Sequence, residues 1–166
     1  MRILIIRHGI AEQTVGNGNG REDAQRELTK AGRQKMRKAT EGLMKVVPEI
    51  NLIATSALTR ASQTADIVAE TFGGMKVAQI AALSPRKPPA QLIEWLNAHS
   101  GDKTIALVGH EPHLSTFLCW LLTGLQESFV VLKKGGVALV DISSPVTAGR
   151  GKLLWLLKPS QLRRLR

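Results

Sequence analysis

The chain has a single cysteine among 166 residues, Cys119, so no intrachain disulfide can form and nothing ties it to an oxidising compartment. Cys119 lies in the longest apolar stretch, residues 114–125, and reads there as a small core residue. Ser115 and Thr116 interrupt that stretch, which is too short to cross a bilayer. Ahead of Arg7 stand only four consecutive apolar residues, so a signal-peptide core is lacking and a cytoplasmic location is expected. Clusters of Cys, His or carboxylate with metal-ligand spacing are also missing, and neither a metal nor another cofactor is expected. The run Gly16-Asn17-Gly18-Asn19-Gly20 lacks the Gly-Lys-Ser/Thr ending of a phosphate-binding loop and reads instead as a mobile surface loop or lid. With no internal repeat and no long linker, this length predicts one domain with a sizeable core.

Acidic residues are the other scarcity. The formal net charge is +10, and no acidic residue follows Asp141, whereas Arg150, Lys152, Lys158, Arg163, Arg164 and Arg166 are basic. We therefore divide the chain into a domain, residues 1–158, and a short basic tail, residues 159–166. Such a tail fits nucleic acid, an acidic membrane surface or phosphorylated substrates, and it fits equally a solvated end that only aids solubility.

What is present alternates between strand-like and helix-like patterns, the signature of βαβ units and a largely parallel sheet. Ile3-Leu4-Ile5-Ile6 reads as a strand buried on both faces, and residues 51–55, 76–80 and 104–108 as further strands. Leu28, Gly32, Met36, Ala39, Leu43 and Val46 recur at helical spacing behind Thr29, a candidate N-cap. Ala61, Ala65, Val68 and Phe72 mark a second helix, and Leu92, Trp95 and Leu96 a short third one after a loop carrying Pro85, Pro88 and Pro89. Pro112 suits the first turn of a helix whose buried face is Leu114, Phe117, Leu118, Leu121 and Leu122. Residues 137–142 and 152–157 are late strands that pair as a hairpin or join the sheet edge, and the tail from Pro159 is short and helical.

Ligands of open α/β sheets bind beyond the carboxyl ends of the strands, and three of these strands end in residues able to hold an anion. The first runs into Arg7-His8-Gly9, the second into Ser56 and Arg60, and the fourth into His110 and Glu111. Arg60 lies at a helix start, where the dipole disfavours a cation unless an anion binds beside it. Two Arg and two His, distant in sequence, can thus converge on one sheet edge. His99, on a polar stretch, and His113, one helical position away, carry no role in this reading.

Arg7-His8-Gly9, Ser56-x-x-x-Arg60-x-x-Gln63-Thr64 and Gly109-His110-Glu111, in this order across nearly the whole chain, resemble the histidine phosphatase (phosphoglycerate-mutase-like) superfamily. Within it, the short length, Arg7-His8-Gly9-Ile10-Ala11, Leu28-Thr29-Lys30-Ala31-Gly32-Arg33 and Leu132-Lys133-Lys134-Gly135-Gly136-Val137-Ala138 resemble the SixA-type phosphohistidine phosphatases. The resemblance implies a three-layer α/β/α fold with a mostly parallel central sheet. It implies that His8 is a nucleophile that becomes transiently phosphorylated, and that Arg7, Arg60 and His110 form the phosphoryl pocket. Arg26 matches an additional phosphate-contacting arginine of the SixA type, and reads equally as a solvated loop residue on charge pattern alone.

One departure bears on the substrate. Relatives that place a catalytic Glu after the third strand have no counterpart here, since no carboxylate lies between Glu70 and Glu94. Glu111 is then the candidate proton donor, with charge complementarity to a helix N-terminus as its alternative role. An alcohol leaving group gains about 100- to 10,000-fold from a general acid. A phosphoramidate nitrogen can be protonated by solvent, which favours phosphohistidine in a protein as the substrate. The alternatives are a phosphomonoesterase acting on small phosphorylated metabolites and, from another class, a basic nucleic-acid- or membrane-binding module. The complete two-Arg, two-His set speaks against that last reading.

Overall fold

The computed structural model describes residues 1–13, 23–85, 87–99 and 101–166; the Gly16–Gly20 run lies outside the described residues. Strands β1 (Arg2–Arg7), β2 (Leu52–Thr55), β3 (Val77–Gln79), β4 (Thr104–Gly109), β5 (Val137–Asp141) and β6 (Lys152–Leu157) form one sheet in the order β3-β2-β4-β1-β5-β6. The four strands from β3 to β1 run parallel, β5 is antiparallel to β1, and β6 is antiparallel to β5. The two late strands therefore form a hairpin and also extend the sheet.

The central strands are continuous apolar runs because both their faces are covered. Leu4 and Ile6 of β1, with Ala106 and Val108 of β4, face a core shared with helices α1 (Lys30–Val46), α2 (Thr59–Thr71) and α5 (Pro159–Leu165). Ile3 and Ile5, with Ile105 and Leu107, face the opposite core, covered by α3 (Pro89–Ala98) and α4 (His113–Thr123). All eight side chains are fully buried, and each of the larger ones contributes roughly 1.5–3 kcal/mol on leaving water. The result is the three-layer α/β/α arrangement with a mostly parallel sheet. Among the described residues, no helix is long and apolar enough to cross a membrane.

Local chemistry sets the element ends. Thr29 caps α1, its hydroxyl accepting a hydrogen bond from the Gly32 amide at 2.8 Å. A Cβ on Gly32 would collide with the Ile10 carbonyl, so glycine lets α1 pack against the segment that leaves β1. Val46, counted on the buried face of this helix by periodicity, is instead 39% exposed at its last residue. A 3-10 turn, Ala81–Leu83, occupies part of the stretch read as loop, and it buries Ala82 and Leu83. Helix α4 begins at His113, so Pro112 is its cap residue rather than a member of its first turn, and the Glu111–Pro112 peptide is cis.

The tail, residues 159–166, set apart on charge alone, forms α5 over Pro159–Leu165 and lies against α1. Leu162 is fully buried, and a Cβ on Gly42 of α1 would strike its carbonyl. One buried leucine whose backbone meets a glycine 120 positions away leaves no mark in the tail's composition.

Candidate active site

β1 and β4 are adjacent and in register, so Arg7 pairs with Gly109 and the residues that follow each strand emerge side by side. The His8 amide donates to the Gly109 carbonyl at 3.1 Å, extending the ladder one step and bringing the rings of His8 and His110 to 5.1 Å between centroids. β2 flanks β4 and delivers Ser56, after which α2 begins and carries Arg60 in its first turn. All six expected site residues, Arg7, His8, Arg26, Arg60, His110 and Glu111, line one cleft of about 640 Å³ at this edge.

Each member is held by a specific contact. One guanidinium nitrogen of Arg7 donates to the Leu132 carbonyl at 2.8 Å, while its Nε is buried without a partner. His8 Nδ1 lies 2.7 Å from the Gly9 carbonyl, an acceptor only, so Nδ1 carries the proton and Nε2 keeps the lone pair. The motif residues Gln63 and Thr64 act as braces. Thr64 Oγ1 accepts from the Gly9 amide at 3.0 Å, and Gln63 Oε1 accepts from the Leu28 amide at 2.8 Å. The Gly135 amide reaches the carbonyls of Arg7 and His8 at 3.0 and 3.1 Å, which seats the turn bearing Lys134 over the cleft.

Burial sets the protonation states. It is the main force that lowers the His8 pKa to about 4, with the positive charges of Arg60, Arg7 and Lys134 adding to it. The flanking cations thus help to keep His8 neutral, but desolvation does more. Burial likewise lowers His110 to about 3, helped by His8 and Arg60. Ser56, fully buried, places its hydroxyl 2.6 Å from His110 Nε2, and His110 Nδ1 is buried without a partner. The Leu58 amide donates to the same hydroxyl at 3.4 Å, which leaves the hydroxyl proton for Nε2 and the ring proton for Nδ1.

Three residues here escape a reading of the sequence alone. Asp23 lies between two guanidinium groups: its Oδ1 is 2.7 Å from Arg26, and its Oδ2 is 3.1 Å from Arg60, which also donates to its carbonyl at 2.7 Å. Burial pushes this carboxyl up, but Arg60 and Arg26 outweigh that and hold it below the usual carboxylate range. Glu111 is therefore not the only carboxylate at the cleft, and the Asp23-x-x-Arg26 spacing is the signal that could have found the second. Next is Lys134, which lines the cleft and stands in the sequence only as one member of a longer motif. The third is His113, expected to be idle, which lines the cleft, is 9% exposed and leaves both ring nitrogens without partners.

Glu111 also lines the cleft, and its Oε1 accepts the Ser115 amide at 3.2 Å in the first turn of α4. His99 stays away, stacked on Trp95 with Nδ1 2.8 Å from the Trp95 carbonyl. Among the described residues, no group of three or more His, Cys, Asp or Glu side chains is placed to hold a metal ion.

Every buried side-chain nitrogen or oxygen without a partner, among the described residues, belongs to this cleft: Arg7 Nε, Arg60 Nε, His110 Nδ1 and both ring nitrogens of His113. An unpaired buried polar atom costs about 1–3 kcal/mol, so this edge is built to be completed by a ligand. Two guanidinium groups and a ring N–H around a neutral imidazole select a compact anion that an imidazole nitrogen can attack.

A family model described as the histidine phosphatase superfamily (branch 1) matches residues 3–87. An uncharacterised protein of Picosynechococcus sp. (strain ATCC 27264 / PCC 7002 / PR-6) is 30% identical over 139 residues, 82% of each chain. In fold, the chain is similar to the protein histidine phosphatase SixA complexed with tungstate (TM-score 0.82, 22% identity, 98% of this chain and 99% of the other). It is also similar to a mutant phosphoserine phosphatase from Entamoeba histolytica in complex with phosphoserine (TM-score 0.72, 18% identity, 97% and 98%).

Proposed function

The chain belongs to the histidine phosphatase superfamily, and on that premise we propose that it hydrolyses phosphohistidine in a protein through a transient phospho-His8 intermediate. The observation that carries this reading is the set of unpartnered donors around a neutral His8. His8 Nε2 attacks the phosphorus in line, and the bond from phosphorus to the substrate's imidazole nitrogen breaks. The departing nitrogen takes a proton from water. Arg7, Arg60 and His110 Nδ1 hold the equatorial oxygens, whose charge such donors stabilise. Water then attacks phospho-His8, releasing inorganic phosphate and restoring the neutral imidazole. No step calls on a metal.

Arg26 joins the pocket when the phosphoryl group takes the place of the Asp23 carboxylate between the two guanidinium groups. Glu111 serves chiefly to cap α4, which its bond to the Ser115 amide supports. A site without a strong acid suits a nitrogen leaving group. A protein substrate is favoured by the cleft's open rim: Gln126 lines it, and the same segment exposes Leu125, Phe129 and Val131 by 60–69%. Lys87, Lys134 and Arg26 on the rim favour a second reading, hydrolysis of small anionic phosphomonoesters by the same steps. The cytoplasmic location and the 1–158 and 159–166 division belong to this proposal as well.

Side-by-side turnover of a phosphohistidine-bearing protein and a panel of phosphomonoesters tests the choice. The first should give the higher kcat/KM, by about tenfold or more. A preference for the monoesters would replace the leading reading with the second.

A further inference from the structure

His113 is the most deeply buried side chain of the cleft that the proposed mechanism leaves without work. It opens α4, one turn beyond His110, and Thr116 on the same helix face also lines the cleft. Its ring is 9% exposed and neither nitrogen has a partner. Leaving two polar atoms so placed is destabilising, and the penalty is relieved only when something in the cleft bonds to them.

The position of the ring says which part of a ligand that is. The proposed mechanism gives the phosphoryl group to Arg7, Arg60 and His110, at the strand ends and in the first turn of α2, whereas His113 belongs to α4, one turn further along the chain. His113 therefore falls to the part of a substrate beyond the phosphoryl group. Pro85, Pro89 and Pro112 line the same cleft, whose volume of about 640 Å³ leaves space for the remainder of a substrate. A neutral imidazole offers one N–H donor and one lone pair. That pair of functions matches a second imidazole, whose distal nitrogen is either donor or acceptor.

We propose that His113 is the specificity-determining contact for the leaving group, bonding the distal nitrogen of the substrate's imidazole and so aligning its phosphoryl group with His8 Nε2. This rests on the reading of the cleft as a phosphohistidine phosphatase site. A leaving oxygen, as in phenyl phosphate, has no distal nitrogen and makes no such bond.

The test measures kcat/KM on a chemically phosphorylated histidine peptide and on phenyl phosphate, together with the Kd of inorganic phosphate, for wild type, His113→Phe and His113→Asn. His113→Phe should lower kcat/KM on the peptide by about tenfold, the loss of one hydrogen bond, mostly through KM. The loss on phenyl phosphate should be smaller, and the phosphate Kd should stay within about twofold. His113→Asn, which keeps a donor and an acceptor in less volume, should recover part of the peptide activity and carries the test if the Phe variant does not fold. Equal losses on both substrates, a weakened phosphate Kd, or no loss on the peptide would each overturn the assignment. A wild-type enzyme inactive on the peptide overturns the substrate reading and this contact with it. An active wild type whose His113 variants are equally active overturns the contact alone.

Discussion

The two edges of the sheet both carry polar side chains and use them in opposite ways. At the amino-terminal edge, Asn51 donates to Glu49 at 2.7 Å and accepts from the Thr104 amide at 2.7 Å, which ties β2 to β4 with its polar groups satisfied and in contact with water. At the carboxyl-terminal edge, Arg7, Arg60, His110 and His113 hold five buried nitrogens with no partner. One edge uses its polar groups to hold the fold. The other leaves five of its nitrogens unpaired, a mark of groups poised to meet a ligand. The difference separates polar residues that stabilise from polar residues that act.

The largest expected effect is on the active edge. His8→Ala should reduce turnover to background in a steady-state phosphatase assay while circular dichroism shows the fold retained; residual activity above background would erase the distinction between the edges. Arg60→Ala follows, with kcat falling about 10²- to 10³-fold, the usual loss for one preorganised donor to transition-state charge. Asp23 keeps its ion pair with Arg26, so a chemical-denaturation curve should move far less than the rate does.

Acid sharpens the comparison through stability. His8 and His110 have folded pKa values near 4 and 3, below the unfolded 6.5, so the unfolded chain binds more protons between these limits. Their contribution to stability is complete above pH 6.5 and is lost as pH falls toward 4 and then 3. Denaturation at several pH values should show stability falling by about 1.4 kcal/mol per pH unit or more below about pH 6. The slope should shrink in His8→Ala, and an unchanged slope would place the acid sensitivity elsewhere. The smallest effect belongs to the other edge: Asn51→Ala should cost about 1 kcal/mol of stability and leave kcat unchanged. A comparable loss of rate would mean that the two edges are coupled.

How much can be read from the chain alone follows the same division. β1 and β4 are legible because double burial demands unbroken runs of branched apolar residues, and α1 because Thr29 and a regular apolar stripe announce it. Arg7, His8, Arg60 and His110 are legible because each stands at a strand end, directly after one, or at the helix start that follows one. Asp23 is hidden, since its ion pairs depend on the path of a loop and not on any periodicity. His113 is hidden because helical spacing alone does not tell which side of α4 faces the cleft. The docking of α5 rests on Leu162 meeting Gly42 across 120 positions, a contact no local pattern encodes.

The central claim is that His8 Nε2 takes the phosphoryl group. Acid-free quenching during turnover, followed by mass spectrometry of peptides kept at alkaline pH, addresses it most directly. The expected result is one phosphoryl group on His8, absent from His8→Ala and accumulating in wild type as substrate is added. Phosphate found on His110 or His113, or full turnover with no phosphoenzyme at any quench time, would contradict it.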